Sequence, residues 1–170
     1  MKKSLFTYST IDGQTELICR KIAGYYNVED IDILPISPSI NLNNYKAVVI
    51  GASIRYGKYR NEIYDFIESN LDSLNKLDNA FFSVNVVARK PEKSTPKTNP
   101  YVIKFLNKID WKPKIIGVFA GKIDYPKYNF IDKHMIRFIM WMTKGPTNIK
   151  NTYEFTDWDK VDNFAKKVIT

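Results

Sequence analysis

Residues 9–15 read Ser-Thr-Ile-Asp-Gly-Gln-Thr, a polar turn with one glycine that leads into a helical pattern. Backbone N–H groups at a helix start lack intrahelical partners and carry partial positive charge. They hold a phosphate without help from lysine or arginine. Ser9, Thr10 and Thr15 add hydroxyl donors, Asp12 and Gln14 complete the loop, and Gly13 lets the backbone come close. No Gly-Lys-Ser/Thr occurs, so this is not a Walker loop, and the Gly-x-Gly-x-x-Gly of dinucleotide folds is absent. A single phosphate is the natural guest. The plainer alternative is a helix cap, for which one such residue suffices.

Two further loops carry chemistry. In Gly51-Ala52-Ser53-Ile54-Arg55-Tyr56-Gly57, small residues let a flat ring lie against the backbone, Tyr56 can stack on it, and Gly57 permits an unusual turn. An ordinary strand–helix turn is the alternative. Ser83-Val84-Asn85-Val86-Val87-Ala88 offers backbone groups to the edge of such a ring. It runs into Arg89-Lys90-Pro91-Glu92-Lys93-Ser94-Thr95-Pro96-Lys97, a basic loop that is either a solvated surface or the approach to the ring. It has none of the interleaved aromatics of a nucleic-acid platform. No metal-ligand cluster surrounds the lone His134, and the single Cys19 excludes an internal disulfide and a cysteine-built zinc site.

The elements that must position these loops follow from hydrophobic pattern. Apolar runs at 4–8, 28–36, 47–52, 80–87 and 115–121 read as five strands, the third continuous enough to be covered on both faces. Between and after them fall helical patterns: Leu17, Ile18, Ile22 and Tyr25; Ile63, Phe66, Ile67 and Leu71; Tyr101, Phe105 and Leu106; and a closing helix with Trp158, Val161, Phe164, Ala165 and Val168, capped by Asp157. Two prolines exclude 89–97 from regular structure. The alternation predicts an α/β domain with a parallel sheet and helices on both faces, over 1–170. In such sheets ligands bind beyond the carboxyl ends of the strands, where the strand order reverses. The three loops above follow the first, third and fourth strands.

Segment 122–151 breaks the alternation and is too long for an ordinary connection. Within it Ile131, Met135, Phe138, Ile139 and Met142 fall on one helical face, flanked by Trp141, with Lys133 and Arg137 roughly opposite. It is too short to cross a bilayer. Lying in a lipid interface is one reading; packing on its own domain, or a dimer contact, is the other.

The chain has 170 residues, is 44% hydrophobic and 14% aromatic, and carries a net charge of +8. It can therefore bury one sizeable core. The charge favours anionic partners, unless it reflects a lysine-rich composition alone. Nothing at the start reads as a signal peptide, and with one cysteine a reducing cytosol is the expected compartment.

The phosphate loop resembles that of flavodoxins, with Asp12-Gly13 where many members have Thr-Gly. Three blocks, 51–57, 83–99 and Thr156-Asp157-Trp158, resemble the bacterial menaquinone-dependent protoporphyrinogen IX dehydrogenase family over essentially the whole chain. The resemblance implies a flavodoxin-like fold with FMN as cofactor, protoporphyrinogen IX as electron donor and a membrane quinone, menaquinone or ubiquinone, as acceptor. It implies an FMN-dependent, quinone-linked oxidoreductase of haem biosynthesis, peripheral on the cytoplasmic face of the bacterial inner membrane at an anionic lipid surface. Redox chemistry would occur at flavin N5, and no side chain is singled out as a general base. Arg89 and Lys90, by charge and loop position, are expected to pair with substrate propionates, with Arg55 a further candidate. An NAD(P)H-fed quinone reductase and a flavodoxin-type electron shuttle are the alternatives.

Overall fold

The computed structural model describes residues 2–168. Five parallel strands form the main sheet: β1 (Lys3–Ser9), β2 (Ile31–Pro35), β3 (Tyr45–Ser53), β4 (Asp78–Val84) and β5 (Ile115–Phe119). Their order is β2-β1-β3-β4-β5. The chain moves outward from β1 to β2, then returns to β3 on the other side of β1. The order therefore reverses between β1 and β3, as the flavodoxin resemblance implies.

Strand periodicity sorts the core into two layers. Leu5, Val48, Ile50 and Phe81 point to one face and Phe6, Val49 and Phe82 to the other. The first face is covered by α2 (Asn61–Ser69), α3 (Leu71–Lys76) and α4 (Pro100–Leu106) through Ile63, Phe66, Ile67, Leu74 and Phe105. The second is covered by α1 (Gln14–Ala23) and α6 (Trp158–Val168) through Ile18, Cys19, Ile22, Val161 and Phe164. Glycine at 51 has a packing reason: a Cβ there would sit 2.2 Å from Cζ of Phe82. Asp157 caps α6 by accepting the Lys160 N–H at 3.0 Å.

Three local departures from the hydrophobic pattern have physical causes. The run at 63–71 is two helices, broken at Asn70. The run at 80–87 stops as a strand at Val84, because the Asn85 side chain accepts the Ala88 N–H and bends 86–89 into a 3-10 turn. The proline-bearing stretch is not wholly irregular. Pro91 opens a 3-10 turn over Pro91–Lys93, at a first position where no N–H is needed.

Segment 122–151 begins with a short strand, β6 (Lys122–Asp124), which pairs antiparallel with β7 (Thr152–Glu154), just past the segment's end, and closes its base. It contains one helix, α5 (Phe130–Met142), and a cluster of its own: Ile123, Tyr125, Tyr128, Ile136 and Met140.

Candidate cofactor cleft

A cleft opens at the carboxyl ends of the strands, beside the β1/β3 switch point. Thr10, Asp12 and Gln14 line one end. Ile54–Gly57 and Val84–Val87 line its middle, and Gly121, Ile123, Tyr128, Ile136, Ile139 and Met140 its far side.

At the first end, Gly13 is the N-cap of α1, with φ +84, in the left-handed region that glycine tolerates. Its N–H donates to Thr10 Oγ1 at 3.0 Å, which closes the turn. The first N–H groups of α1 are left without intrahelical partners. A Cβ on Gly13 would meet nothing within 4 Å, so the space beside the helix start is open. Thr15 Oγ1 is buried without a hydrogen-bond partner among the described residues. An orphaned hydroxyl at a helix start with open space beside it fits an anionic group. Ser9 does not face the cleft: its hydroxyl donates to Glu62. Gln14 ties the loop to the last elements, its Nε2 donating to Glu154 Oε1 and Thr156 Oγ1, both at 2.9 Å. The loop is also less free of cations than its sequence implies. Arg60 donates to the Thr10 carbonyl at 3.3 Å, and Arg55 pairs with Asp12 at 2.7 Å.

In the middle, two segments face each other. Residues 55–58 form a tight turn in which Arg55 and Lys58 exchange backbone hydrogen bonds at 3.1 and 3.3 Å. Its two central residues have positive φ, Tyr56 at +51 and Gly57 at +78. Opposite, residues 84–87 are set by a buried polar network. Tyr59 donates to Ser83 Oγ at 2.6 Å, and Asn85 Nδ2 to Ser83 Oγ at 2.9 Å. Asn85 Oδ1 accepts from Ala88 N–H at 3.1 Å and from Asn99 Nδ2 at 3.0 Å. Ser83, Ala52 and Ala88 are consequently buried behind the cleft, as support rather than lining, and Ser53 also stands outside the lining. The slot between the segments, with an anion end beside it, fits a flat ring joined to one phosphate, as in FMN.

The basic residues take places that their sequence position did not reveal. Arg89 turns away from the cleft and donates to the Val86 carbonyl at 3.0 Å, the Thr143 carbonyl at 2.9 Å and Thr143 Oγ1 at 3.0 Å. Burial pulls its guanidinium below the usual range. It pins the end of α5 rather than presenting a free cation. Lys90 is half-buried and does not line the cleft either. Lys122, at the start of β6, does line it. Arg55 is shared between Asp12 and Asp132. Burial works against its charge, but Asp12, Tyr128 and Asp132 outweigh that and hold it firmly protonated.

Sequence reading missed the far side of the cleft. Gly121, Lys122 and Ile123 follow β5, so the strand-end rule reaches them once the fifth loop is inspected as the first, third and fourth were. Tyr128, Ile136, Ile139 and Met140 belong to the inserted segment and carry no local motif. The helical stripe in that segment is also differently disposed. Ile136 and Met140 are the buried residues of α5, and Ile139 lines the cleft. Ile131, Met135, Phe138, Trp141 and Met142 face outward. His134 packs at a tilt on Phe130, ring centroids 4.4 Å apart, and belongs to no cluster of three metal-ligating side chains among the described residues.

A family model described as a flavodoxin domain matches residues 5–150. Among characterised proteins, protoporphyrinogen IX dehydrogenase (quinone) of Escherichia coli K12 is 42% identical over 174 residues, covering 98% of this chain and 94% of that protein. The protein of the same name from Leishmania major is 41% identical over 168 residues, covering 96% of this chain and 73% of its own. A solved archaeal flavodoxin aligns over 99% of both chains at 14% identity, with a TM-score of 0.48.

Proposed function

The chain belongs to the flavodoxin-domain protoporphyrinogen IX dehydrogenases, and we propose that it oxidises protoporphyrinogen IX to protoporphyrin IX with FMN in this cleft and delivers the electrons to a quinone at a lipid surface. The observation that carries the reading is one continuous cleft from the α1 start, past the two ring-side segments, to the underside of α5. When bound, FMN supplies the hydride-accepting chemistry. The chain supplies the rest. The helix start and the Thr10 and Thr15 hydroxyls hold the phosphate. The turn at 55–58 and the network-braced segment 84–87 hold the ring. Lys122, the lysine that lines the cleft, meets a substrate carboxylate, while Arg89 keeps α5 in place.

The outward face of α5 supports the lipid part of the reading. Phe130, Ile131 and Trp141 are 77, 73 and 69% exposed, beside exposed Met135, Phe138 and Met142. The helix is covered on one side only, and its outward surface sets these apolar residues beside exposed His134 and Arg137. Segment 122–151 carries Lys122, Lys127, Lys133, Arg137, Lys144 and Lys150 against Asp124 and Asp132, six cations to two carboxylates. That combination suits the headgroup region of an anionic leaflet, on the cytoplasmic side of the bacterial inner membrane. No helix among the described residues is long and apolar enough to cross a membrane.

Anaerobic mixing tests the chemistry. Protoporphyrinogen IX should bleach the bound flavin promptly, while NADPH alone leaves it oxidised. Prompt bleaching by NADPH without reduction by porphyrinogen would replace this reading with that of a nicotinamide-fed reductase.

A further inference from the structure

One guanidinium joins three parts of the molecule. Arg55 stands at the head of the ring-side turn and its side chain is 15% exposed. Its Nη1 reaches Asp12 of the phosphate loop at 2.7 Å, and its Nη2 reaches Asp132, in the first turn of α5, at 3.2 Å. Its planar head lies 4.9 Å from the Tyr128 ring centroid and 5.5 Å from that of Tyr56. Tyr128 also donates to Asp12, at 3.4 Å. The other Asp132 oxygen accepts from the Tyr56 hydroxyl. Asn129 fixes Asp132 in turn: its Oδ1 accepts the Asp132 N–H at 2.8 Å, and its Nδ2 donates to Asp132 Oδ2 at 3.1 Å.

Two features of this network need explaining. Asp12 puts a negative charge in a loop that fits a phosphate, which is unfavourable unless a cation stays beside it. Tyr56 holds a left-handed conformation without being glycine, and such a residue keeps that geometry only where its surroundings over-determine it. Asp132 serves both needs. Its carboxylate holds Arg55 where Arg55 neutralises Asp12, and it takes the Tyr56 hydroxyl that fixes the strained turn. The contact comes from the insertion, not from the sheet.

We propose that Asp132 is a positioning residue for the cofactor site: through Arg55 and Tyr56, docking of α5 sets the shape of the ring-side turn and the charge of the phosphate loop, so α5 docking and FMN binding are coupled. The inference rests on the reading that the cleft takes FMN. Coupling between two binding events is reciprocal. FMN must therefore hold α5 down as much as α5 prepares the site for FMN.

The test uses the full chain stripped of flavin and titrated with FMN, following the quenching of flavin fluorescence. Asp132→Ala should weaken FMN binding by about tenfold or more, the scale of a lost charge-assisted hydrogen bond. Asp132→Asn, nearly identical in shape, should recover part of the loss by keeping an acceptor for Tyr56. It also decides the matter if the alanine variant does not fold. Tyr56→Phe should weaken binding too, and its effect should not add to that of Asp132→Ala. Phe138→Ser, on the outward face of the same helix, should leave FMN affinity unchanged. In the unaltered protein FMN should slow proteolytic cleavage within 122–151, and in Asp132→Ala that protection should shrink. If the unaltered protein binds FMN and both Asp132 variants bind it equally well, the coupling is wrong while the cleft reading stands. If the unaltered protein takes no FMN, both fall.

Discussion

The five-stranded sheet and the inserted segment 122–151 are held by different forces. The sheet is sandwiched between two apolar layers, and Leu5, Phe6, Ile50, Phe81 and Phe82 have no exposed surface. The insertion has a small cluster around Tyr125, Ile136 and Met140, and beyond that it is tethered at its ends. Asp132 binds Arg55 and Tyr56 at one end of α5, and Thr143 receives Arg89 at the other. Burial is non-directional and scales with area, whereas tethers are few and specific. A rigid sheet can thus present loop ends at fixed positions, while the insertion is held over the cleft by a handful of contacts. The ionic tether, Asp132 to Arg55, lies at the ring-side turn, so changes in the insertion are felt at the cofactor.

The largest expected difference between the regions comes from truncating one phenylalanine in each. Phe82 is fully buried, with its ring against Gly51 and close to Phe119 and Phe164. Phe82→Ala should cost about 3–5 kcal/mol of global stability in denaturant unfolding. Phe138→Ala, on the outward face of α5, should stay within about 0.5 kcal/mol of the parent. Equal losses would mean that α5 is part of the cooperative core.

Hydrogen exchange sharpens the contrast. Amides of β3 and β4 should exchange only through global unfolding, and those of α5 through a smaller local opening. Arg89→Ala removes three donated hydrogen bonds and should lower α5 protection by about 1–3 kcal/mol, leaving β4 unchanged. A uniform loss across both regions would merge them into one unit.

Smaller again is the effect of Thr15→Ala. Because Thr15 Oγ1 has no partner among the described residues, its removal costs the apoprotein no hydrogen bond, yet FMN binding should weaken by about 1–2 kcal/mol. Unchanged FMN affinity would take Thr15 out of the phosphate site. Smallest of all is the response of Cys19, which burial pushes up to about 12. As a neutral thiol inside the core it should resist alkylation in the folded protein and react only on unfolding. Rapid labelling of native protein would show that the core opens more readily than its packing implies.

The sheet was legible because its signal is local. Ala47, Val48, Val49 and Ile50 form an apolar run that a strand buried on both faces requires, and the strand–helix alternation leaves few topologies. The glycine turn at the start of α1 was legible for the same reason, as Thr10 and Gly13, which close it, lie three residues apart. What stayed hidden was set by contacts distant in sequence. Arg89 reads as a free cation until Thr143 comes to rest beside it. The α5 stripe was read correctly as helical, but period alone does not say which face packs inward. The apolar positions of α5 are spread around much of the helix and offer more than one candidate face. Tertiary contacts chose Ile136 and Met140 and left Phe138 and Met142 outside.

The central claim is a division of labour, in which the sheet ends hold the cofactor and do the chemistry while the outward face of α5 brings it to lipid-borne quinone. The most direct measurement compares the FMN-loaded parent with a variant carrying Phe138→Ser and Met142→Ser, both oxidising protoporphyrinogen IX. One assay supplies quinone dissolved in anionic vesicles; the other supplies a water-soluble acceptor. The variant should lose turnover with vesicle quinone, sediment less with the vesicles and keep its rate with the soluble acceptor. Equal rates for both proteins in both assays, with equal sedimentation, would contradict the account and return α5 to the role of a helix that serves only its own domain.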